Sequence, residues 1–316
     1  MIKILANDGI HEIGKTLLEQ AGYTVDLTKI SQEELPAKLN EYDAICVRSA
    51  TKVRQELIDA CPNLKIIARG GVGLDNIDVD YAKSKGVEVY NTPSASSRSV
   101  AELAFSHLFS LARFVYKSNR NMPSDGDSEF KTLKKSFSKG FELKGKKLGI
   151  IGFGRIGQET AKMALGLGME VLAVDPFMES TELSLNIAGQ IINIPVTTVS
   201  MDAMLAQADM ISLHIPFTGK AVLGTEEFNK MKDGMVIANC ARGGTIDEDA
   251  LLAALDSGKV AAAGLDVFEN EPTPRKDILA HPSISLTPHI GASTQEAQEN
   301  IGRELADQII AYFNRS

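Results

Sequence analysis

The sequence predicts an α/β protein built as two doubly wound, parallel-sheet domains. Three observations carry this. Short apolar runs alternate with amphipathic stretches from end to end of the chain, the pattern of strands and helices in a parallel sheet covered on both faces. The alternation begins afresh near residue 148, after a polar interval. The length, 316 residues, suggests two domains at about 150 residues each, either large enough to bury its own core.

In the first series, Ile2–Ala6, Ala44–Val47, Lys65–Ala68 and Val87–Tyr90 read as buried strands. Between them, Ile13–Ala21, Glu33–Asn40, Glu56–Cys61 and Val79–Lys85 carry helical spacing. A long helix is expected from Ser99 to Tyr116, then a polar turn-rich loop at Pro123–Ser128 and a solvated lysine-rich loop from Lys131 to Lys147. The second series has strands at Leu148–Ile151, Glu170–Val174, Met210–Leu213, Met235–Asn239, Ala261–Leu265 and Ser283–Leu286. It closes on a helix from Thr294 to Phe313.

Bulk composition narrows the function. A formal net charge of −8 argues against a nucleic-acid partner, which selects a basic surface. The three cysteines, Cys46, Cys61 and Cys240, have neither the number for a disulfide framework nor metal-ligand spacing. No apolar run has the length of a signal peptide or a membrane span. A cytoplasmic protein with no membrane partner and no metal is expected.

The sharpest local signal is Gly152-Phe153-Gly154-Arg155-Ile156-Gly157. A strand runs into this G-x-G-x-x-G, a helix runs out, and a second strand ends in Asp175, about 20 residues on. Gly152 permits the tight turn, Gly154 lets a pyrophosphate approach the backbone, and Gly157 lets helix and strand pack closely. The pyrophosphate then sits on the positive helix N-terminus. Asp175 would accept hydrogen bonds from the adenosine ribose and repel a 2′-phosphate, so NAD is the expected cofactor. The first strand ends in Ala6-Asn7-Asp8-Gly9 without such a triplet, which makes the first half the candidate substrate domain.

Taken with Val47–Val53, Arg69–Asp78, Asn91-Thr92-Pro93, Ser99–Glu102, His214-Ile215-Pro216, Asn239–Gly244, Gly264–Phe268, Glu271-Pro272 and Thr287–Gly291, the chain resembles the D-isomer-specific 2-hydroxyacid dehydrogenases over essentially its whole length. Val47–Val53 and Arg69–Asp78 are most similar to the members acting on 3-phosphoglycerate, here in a short form without a C-terminal regulatory domain. The resemblance implies a flavodoxin-like substrate domain, residues 1–97 completed by 293–316. A Rossmann NAD-binding domain, residues 98–292, is inserted, with the active site in the cleft. It extends the cofactor set from the glycine motif and Asp175 to Pro176, His214, Pro216, Cys240, Ala241, Asp266, Gly291 and Val100. It also implies a homodimer through the Ser99–Tyr116 helix.

Reducing a 2-keto acid requires holding its carboxylate, polarising its carbonyl and protonating the alkoxide as hydride reaches C2. His289, after the strand Ser283–Leu286, is the expected general acid/base, since imidazole titrates near neutrality. Glu271 would hold its other ring nitrogen. Arg242, after the strand Met235–Asn239, offers a planar fork to the carboxylate and the carbonyl oxygen. The resemblance assigns the same three roles. His107 reads as a packing residue within its helix.

For the substrate, backbone amides of the Gly70–Gly73 loop are a candidate anion nest, with Gly71, Val72 and Gly73 as its members. Arg48, Ser49 and Arg54, near the end of the strand Ala44–Val47, are candidate phosphate ligands. The expected reaction is NAD-dependent oxidation of D-3-phosphoglycerate to 3-phosphohydroxypyruvate, or the reverse. Glyoxylate or hydroxypyruvate reduction is the enzyme alternative, and an NAD-sensing corepressor-like binding protein the non-enzymatic one.

Overall fold

The structure, a computed structural model, describes residues 1–315. The chain opens with β1 (Lys3–Ala6), α1 (Glu12–Gln20), β2 (Thr24–Asp26), α2 (Leu35–Lys38), β3 (Ala44–Val47), α3 (Gln55–Ala60), β4 (Ile66–Arg69), α4 (Val79–Ser84) and β5 (Glu88–Asn91). Three helices follow, α5 (Ser97–Ala112), α6 (Val115–Asp125) and α7 (Phe130–Ser136). Next come β6 (Lys147–Ile151), α8 (Arg155–Gly166), β7 (Glu170–Val174), β8 (Ser180–Ile187), β9 (Gln190–Thr197), α9 (Met201–Gln207) and β10 (Met210–Leu213). The last elements are α10 (Thr225–Lys230), β11 (Met235–Asn239), α11 (Glu248–Asp256), β12 (Val260–Leu265), α12 (Lys276–Ala280), β13 (Ile284–Leu286) and α13 (Gln295–Phe313). They form two compact units, Met1–Ser99 with Ala292–Ser316, and Val100–Gly291.

The first unit holds a five-stranded sheet in the order β2-β1-β3-β4-β5, every pair parallel. Successive strand residues face opposite ways. Ile4, Ala44, Cys46 and Ile66 pack with Leu18 of α1 and Ile301, Leu305 and Ile309 of α13. Leu5, Ile45, Val47 and Ile67 pack on the other face with Leu35, Leu57, Ile58 and Ala82 of α2, α3 and α4. The C-terminal helix thus completes the core of the N-terminal unit. Its seat on α1 depends on paired glycines, because a Cβ on Gly14 would stand 2.6 Å from the Gly302 carbonyl oxygen.

The second unit holds a six-stranded parallel sheet in the order β13-β12-β11-β10-β6-β7. Leu148, Ile150, Val236 and Ala238 pack against α5 and α8. Ile211, Leu213, Ile237 and Leu265 pack against α9 to α12. Both sheets are parallel with helices on both faces, as the alternating pattern predicts.

The structure departs from expectation in several places. The helix expected from Ser99 to Tyr116 is two helices, broken at Phe114 with φ 55°. The expected Pro123–Ser128 loop is partly helical, since α6 continues through Pro123 to Asp125; the proline gives up its own helical hydrogen bond, and the helix ends two residues later. The lysine-rich interval contains α7. Edge strand β2 has only three residues and none fully buried, so it carries no apolar run. The β8–β9 hairpin lacks a clear signature because its inward side chains, Leu183, Leu185 and Val196, are outnumbered by exposed polar and apolar ones. Among the described residues no helix is long and apolar enough to cross a membrane.

The Gly14–Gly302 contact is testable by stability. Gly14→Val should destabilise the first unit by about 1–3 kcal/mol through overpacking. Gly166→Ala on α8, where a Cβ meets open space, should stay within about 0.5 kcal/mol of the parent. Urea unfolding of both variants checks the contrast.

Candidate active site

In the second unit, the loops after β11, β12 and β13 bring together the three residues singled out for chemistry. Asn239, buried at the end of β11, accepts the Ala241 amide on its side-chain oxygen at 3.1 Å and donates to the Arg242 carbonyl at 3.1 Å. The Thr245 hydroxyl donates to the same carbonyl at 2.7 Å. A Cβ on Gly243 would collide with the Phe268 carbonyl, so this turn lies directly on the backbone of the next loop. There the Phe268 amide donates to Glu271 Oε1 at 3.0 Å. Glu271 Oε2 lies 2.7 Å from His289 Nδ1.

That bond uses the inner ring nitrogen and leaves Nε2 of a part-exposed imidazole for a ligand. Burial alone would raise the Glu271 carboxyl, but the His289 bond and charge, the Phe268 amide and the Arg242 charge outweigh it and hold it below the usual glutamate range. The carboxylate therefore stays ionised through neutral pH. His289 itself sits in the left-handed region, φ 54°, uncommon for a residue with a side chain. Arg242 donates from Nη1 to the Ala241 carbonyl at 2.7 Å, which orients the guanidinium.

The glycine turn has the shape its sequence predicts. Gly152 has φ 90°, and a Cβ there would stand 2.6 Å from the His214 carbonyl oxygen. A Cβ on Gly157 would strike the Gly152 carbonyl. Gly154 faces open space and caps α8 with no side-chain hydrogen bond. The first-turn amides at Arg155 and Ile156 are thus available to an anion. Asp175 accepts the Phe153 amide at 2.7 Å and the Phe177 amide at 2.9 Å, which fixes its carboxylate beside the turn. An open glycine cradle, an uncapped helix N-terminus and a fixed acid fit a dinucleotide.

Several other residues expected at the cofactor converge in the same unit. Val100 and Cys240 form a small apolar cluster packed against Ile156, and a Cβ on Gly291 would touch Val100 at 3.3 Å. Cys240 is a buried thiol pushed up by burial and then by the Asp266 charge, so it is inert lining. Asp266 is fully buried and accepts the Ile290 and Gly291 amides at 2.8 and 2.9 Å. Ala241 is buried beneath the Arg242 turn, while Pro176 and Pro216 are exposed. His214 meets the glycine turn through its backbone, its ring being engaged elsewhere. Its Nε2 is bonded to the Thr160 and Ser212 hydroxyls at 3.0 and 2.9 Å, and burial holds its pKa down to about 3. It is a neutral structural histidine whose carbonyl, not its ring, meets the glycine turn.

In the first unit the strand ends carry a second set. Asp8, almost fully buried, accepts the Arg48 and Thr51 amides at 2.8 and 3.0 Å. Asn76 holds the Arg48 and Thr51 carbonyls at 2.7 and 2.6 Å. The resulting loop presents Arg48 and Ser49 on the wall of a cavity of about 530 Å³, also lined by Asn7, Asp8, Leu27 and Lys29. Lys29 is paired with Asp8. Arg54 differs from expectation, since its fork is engaged by Asp78 at 2.8 Å and the Asp75 carbonyl at 2.9 Å. The nest is also narrower than expected. The Gly70 amide donates to Val47 and the Gly71 amide to the Thr92 hydroxyl, so Val72 and Gly73 carry its free amides.

Sequence reasoning missed Asp8 and Asn76, which template the Arg48 loop, and Thr92, which takes the Gly71 amide. Their one visible signal was position, a polar residue at or just beyond a predicted strand end.

Comparison with known proteins places this geometry. Residues 105–291 match the D-isomer specific 2-hydroxyacid dehydrogenase, NAD binding domain. The chain is 45% identical over 313 residues to a hydroxypyruvate reductase of Thermotoga maritima, covering 97% of each. It is 41% identical over 311 residues to a D-3-phosphoglycerate dehydrogenase of Methanocaldococcus jannaschii, covering 98% of this chain but 57% of that protein. It also superposes on an NAD+-bound 3-phosphoglycerate dehydrogenase of Entamoeba histolytica with a TM-score of 0.77 and 29% identity, covering 99% and 95% of the two chains. The likeness in sequence and in fold runs through nearly the whole chain, and this protein belongs to the D-isomer-specific 2-hydroxyacid dehydrogenases, NAD-dependent oxidoreductases of small 2-hydroxy and 2-keto acids.

Proposed function

We propose that the protein interconverts D-3-phosphoglycerate and 3-phosphohydroxypyruvate, with His289 as the acid/base. The observation that carries the catalytic part is the 2.7 Å bond from His289 Nδ1 to an ionised Glu271. NAD, when bound, accepts or supplies the hydride at C2. In reduction, His289 Nε2 delivers a proton to the forming alkoxide, and in oxidation it takes the proton back. Glu271 fixes the ring and stabilises the imidazolium. Arg242 holds the carboxylate and polarises the carbonyl oxygen. Within the first unit, the Val72 and Gly73 amides are proposed donors to an anionic group.

Arg48 supports the phosphorylated substrate. Its side chain has no ion-pair partner among the described residues and lies on a cavity wall beside Ser49. A specific observation also favours a second reading, reduction of hydroxypyruvate. Arg54 and Lys29 are neutralised by Asp78 and Asp8, which removes two of the cations a phosphate dianion would use, and the hydroxypyruvate reductase relative matches over 97% of its length.

Four measurements test these assignments. His289→Ala should lower kcat roughly 10²–10⁴-fold. Removing the Glu271 charge destabilises the protonated ring, so in Glu271→Gln the limb governed by the acid/base should move to lower pH. That is the alkaline limb for reduction and the acidic limb for oxidation; an unmoved limb would contradict the pairing. For the cofactor, NAD should be preferred over NADP, and Asp175→Ala should narrow the ratio of their kcat/KM values. For the substrate, kcat/KM should be higher for phosphohydroxypyruvate than for hydroxypyruvate. Arg48→Ala should cost about 10- to 150-fold on the phosphorylated substrate alone, whereas Arg54→Ala should have a smaller effect. Equal efficiency of the parent on both substrates would select the hydroxypyruvate reading.

A further inference from the structure

His107 lies outside the groups assigned so far. It sits within α5, is 3% exposed, and occupies a helix face that would otherwise be apolar. Packing does not explain its choice, because both ring nitrogens are hydrogen-bonded. Nδ1 lies 3.1 Å from the Ser285 hydroxyl and Nε2 lies 2.9 Å from the Thr287 hydroxyl. Space for the ring is made by Gly264 on β12, where a Cβ would stand 2.5 Å from the His107 Cβ.

The direction of these bonds can be worked out. Asp266 already accepts one amide on each carboxylate oxygen, from Ile290 at 2.8 Å and from Gly291 at 2.9 Å. The Thr287 hydroxyl, 2.7 Å from Oδ1, must therefore donate its proton to Asp266. Its oxygen is left to accept, so His107 carries its hydrogen on Nε2 and receives the Ser285 proton on Nδ1. Burial lowers the ring's proton affinity, against the opposing charge of Asp266. The ring stays neutral, and the sequence Ser285 to His107 to Thr287 to Asp266 keeps one direction. Hydrogen bonds aligned in this way reinforce one another.

The far end of this chain reaches the reacting residue. The Ile290 and Gly291 amides directly follow His289, whose left-handed backbone persists only if its surroundings over-determine it. Asp266 supplies two of those restraints, and Thr287 with His107 fixes the orientation of Asp266. We propose that His107 is a positioning residue that, through Thr287 and Asp266, holds the 287–291 loop so that His289 meets Glu271 in register for proton transfer. This rests on the reading of His289 as the acid/base. It predicts an effect on kcat rather than on substrate affinity, because His107 is separated from any ligand by two side chains.

The experiment compares His107→Leu, His107→Gln, Thr287→Val and His289→Ala in the full-length protein. Steady-state rates are read with NADH and hydroxypyruvate, together with thermal midpoints. Misplacement of a catalytic group by about 1 Å can cost up to 10²-fold. His107→Leu is thus expected to lose roughly 10- to 100-fold in kcat with KM nearly unchanged. His107→Gln places an N–H near the former Nε2 and should restore most of the rate. Thr287→Val, isosteric but without the hydroxyl, should match His107→Leu and stands in for it if the leucine variant fails to fold. The proposal is overturned if His107→Leu and Thr287→Val keep the parental kcat, if leucine and glutamine lose rate equally, or if the loss lies only in KM or the thermal midpoint. Normal turnover of His289→Ala would instead refute the acid/base reading itself. An inactive His289→Ala beside an unimpaired His107→Leu would refute only the role of His107.

Discussion

A parallel sheet sends the C-terminal end of every strand to one edge, and in the second unit this constraint decides where chemistry can occur. β11, β12 and β13 are neighbours, with strands spaced about 4.8 Å apart, so the loops that follow them must share a small space. Arg242, Glu271 and His289 come one from each. The sheet places the loops, but side-chain and backbone contacts set the final ångström. Gly243 lets the first loop lie on the second, the Phe268 amide holds Glu271, and the buried Asp266 carboxylate ties down the two amides beyond His289. A charged group at the core is costly unless it is fully bonded, and here its bonds do the positioning.

The same economy of fixed charges shapes the first unit. Asp8 acts as an internal anion for the Arg48 and Thr51 amides, so the fold itself holds this loop. Asp175 plays a comparable part beside the glycine turn, with both oxygens engaged by backbone amides. Preorganised groups of this kind need not be ordered during the reaction. A formal charge of −8 is compatible with an anionic ligand, because helix N-terminal amides hold phosphates without a basic surface.

Much of this was legible in the sequence. Short apolar runs between stretches of 3.6 periodicity located nearly every strand of both sheets, since strands buried on both faces read as continuous apolar runs. The glycine motif and its distant acid marked the turn, and Arg242, Glu271 and His289 stood out by type and position after predicted strands. What escaped has physical causes. Which cations are free depends on partners distant in sequence, so nothing around Arg54 announces that Asp78 will engage it. The Gly70 and Gly71 amides were committed to Val47 and Thr92 by tertiary packing. The bonding of the His214 and His107 rings escaped for the same reason. The ring of the first is sealed by Thr160 and Ser212, and the second is wired to the loop of His289 by Ser285 and Thr287. A histidine's sequence context does not reveal where its two nitrogens point.

The central claim is that Glu271 and His289 function as one proton-transferring unit, and side-chain NMR reads it without turnover. With 15N-labelled histidine, spectra across about pH 5–9, the range in which imidazole usually titrates, report all five histidines. The His289 signal, assigned by its loss in His289→Ala, should show an Nδ1 bonded to carboxylate. Its midpoint should fall in Glu271→Gln while the other four histidines stay in place. A His289 midpoint that does not respond to Glu271→Gln would contradict the account.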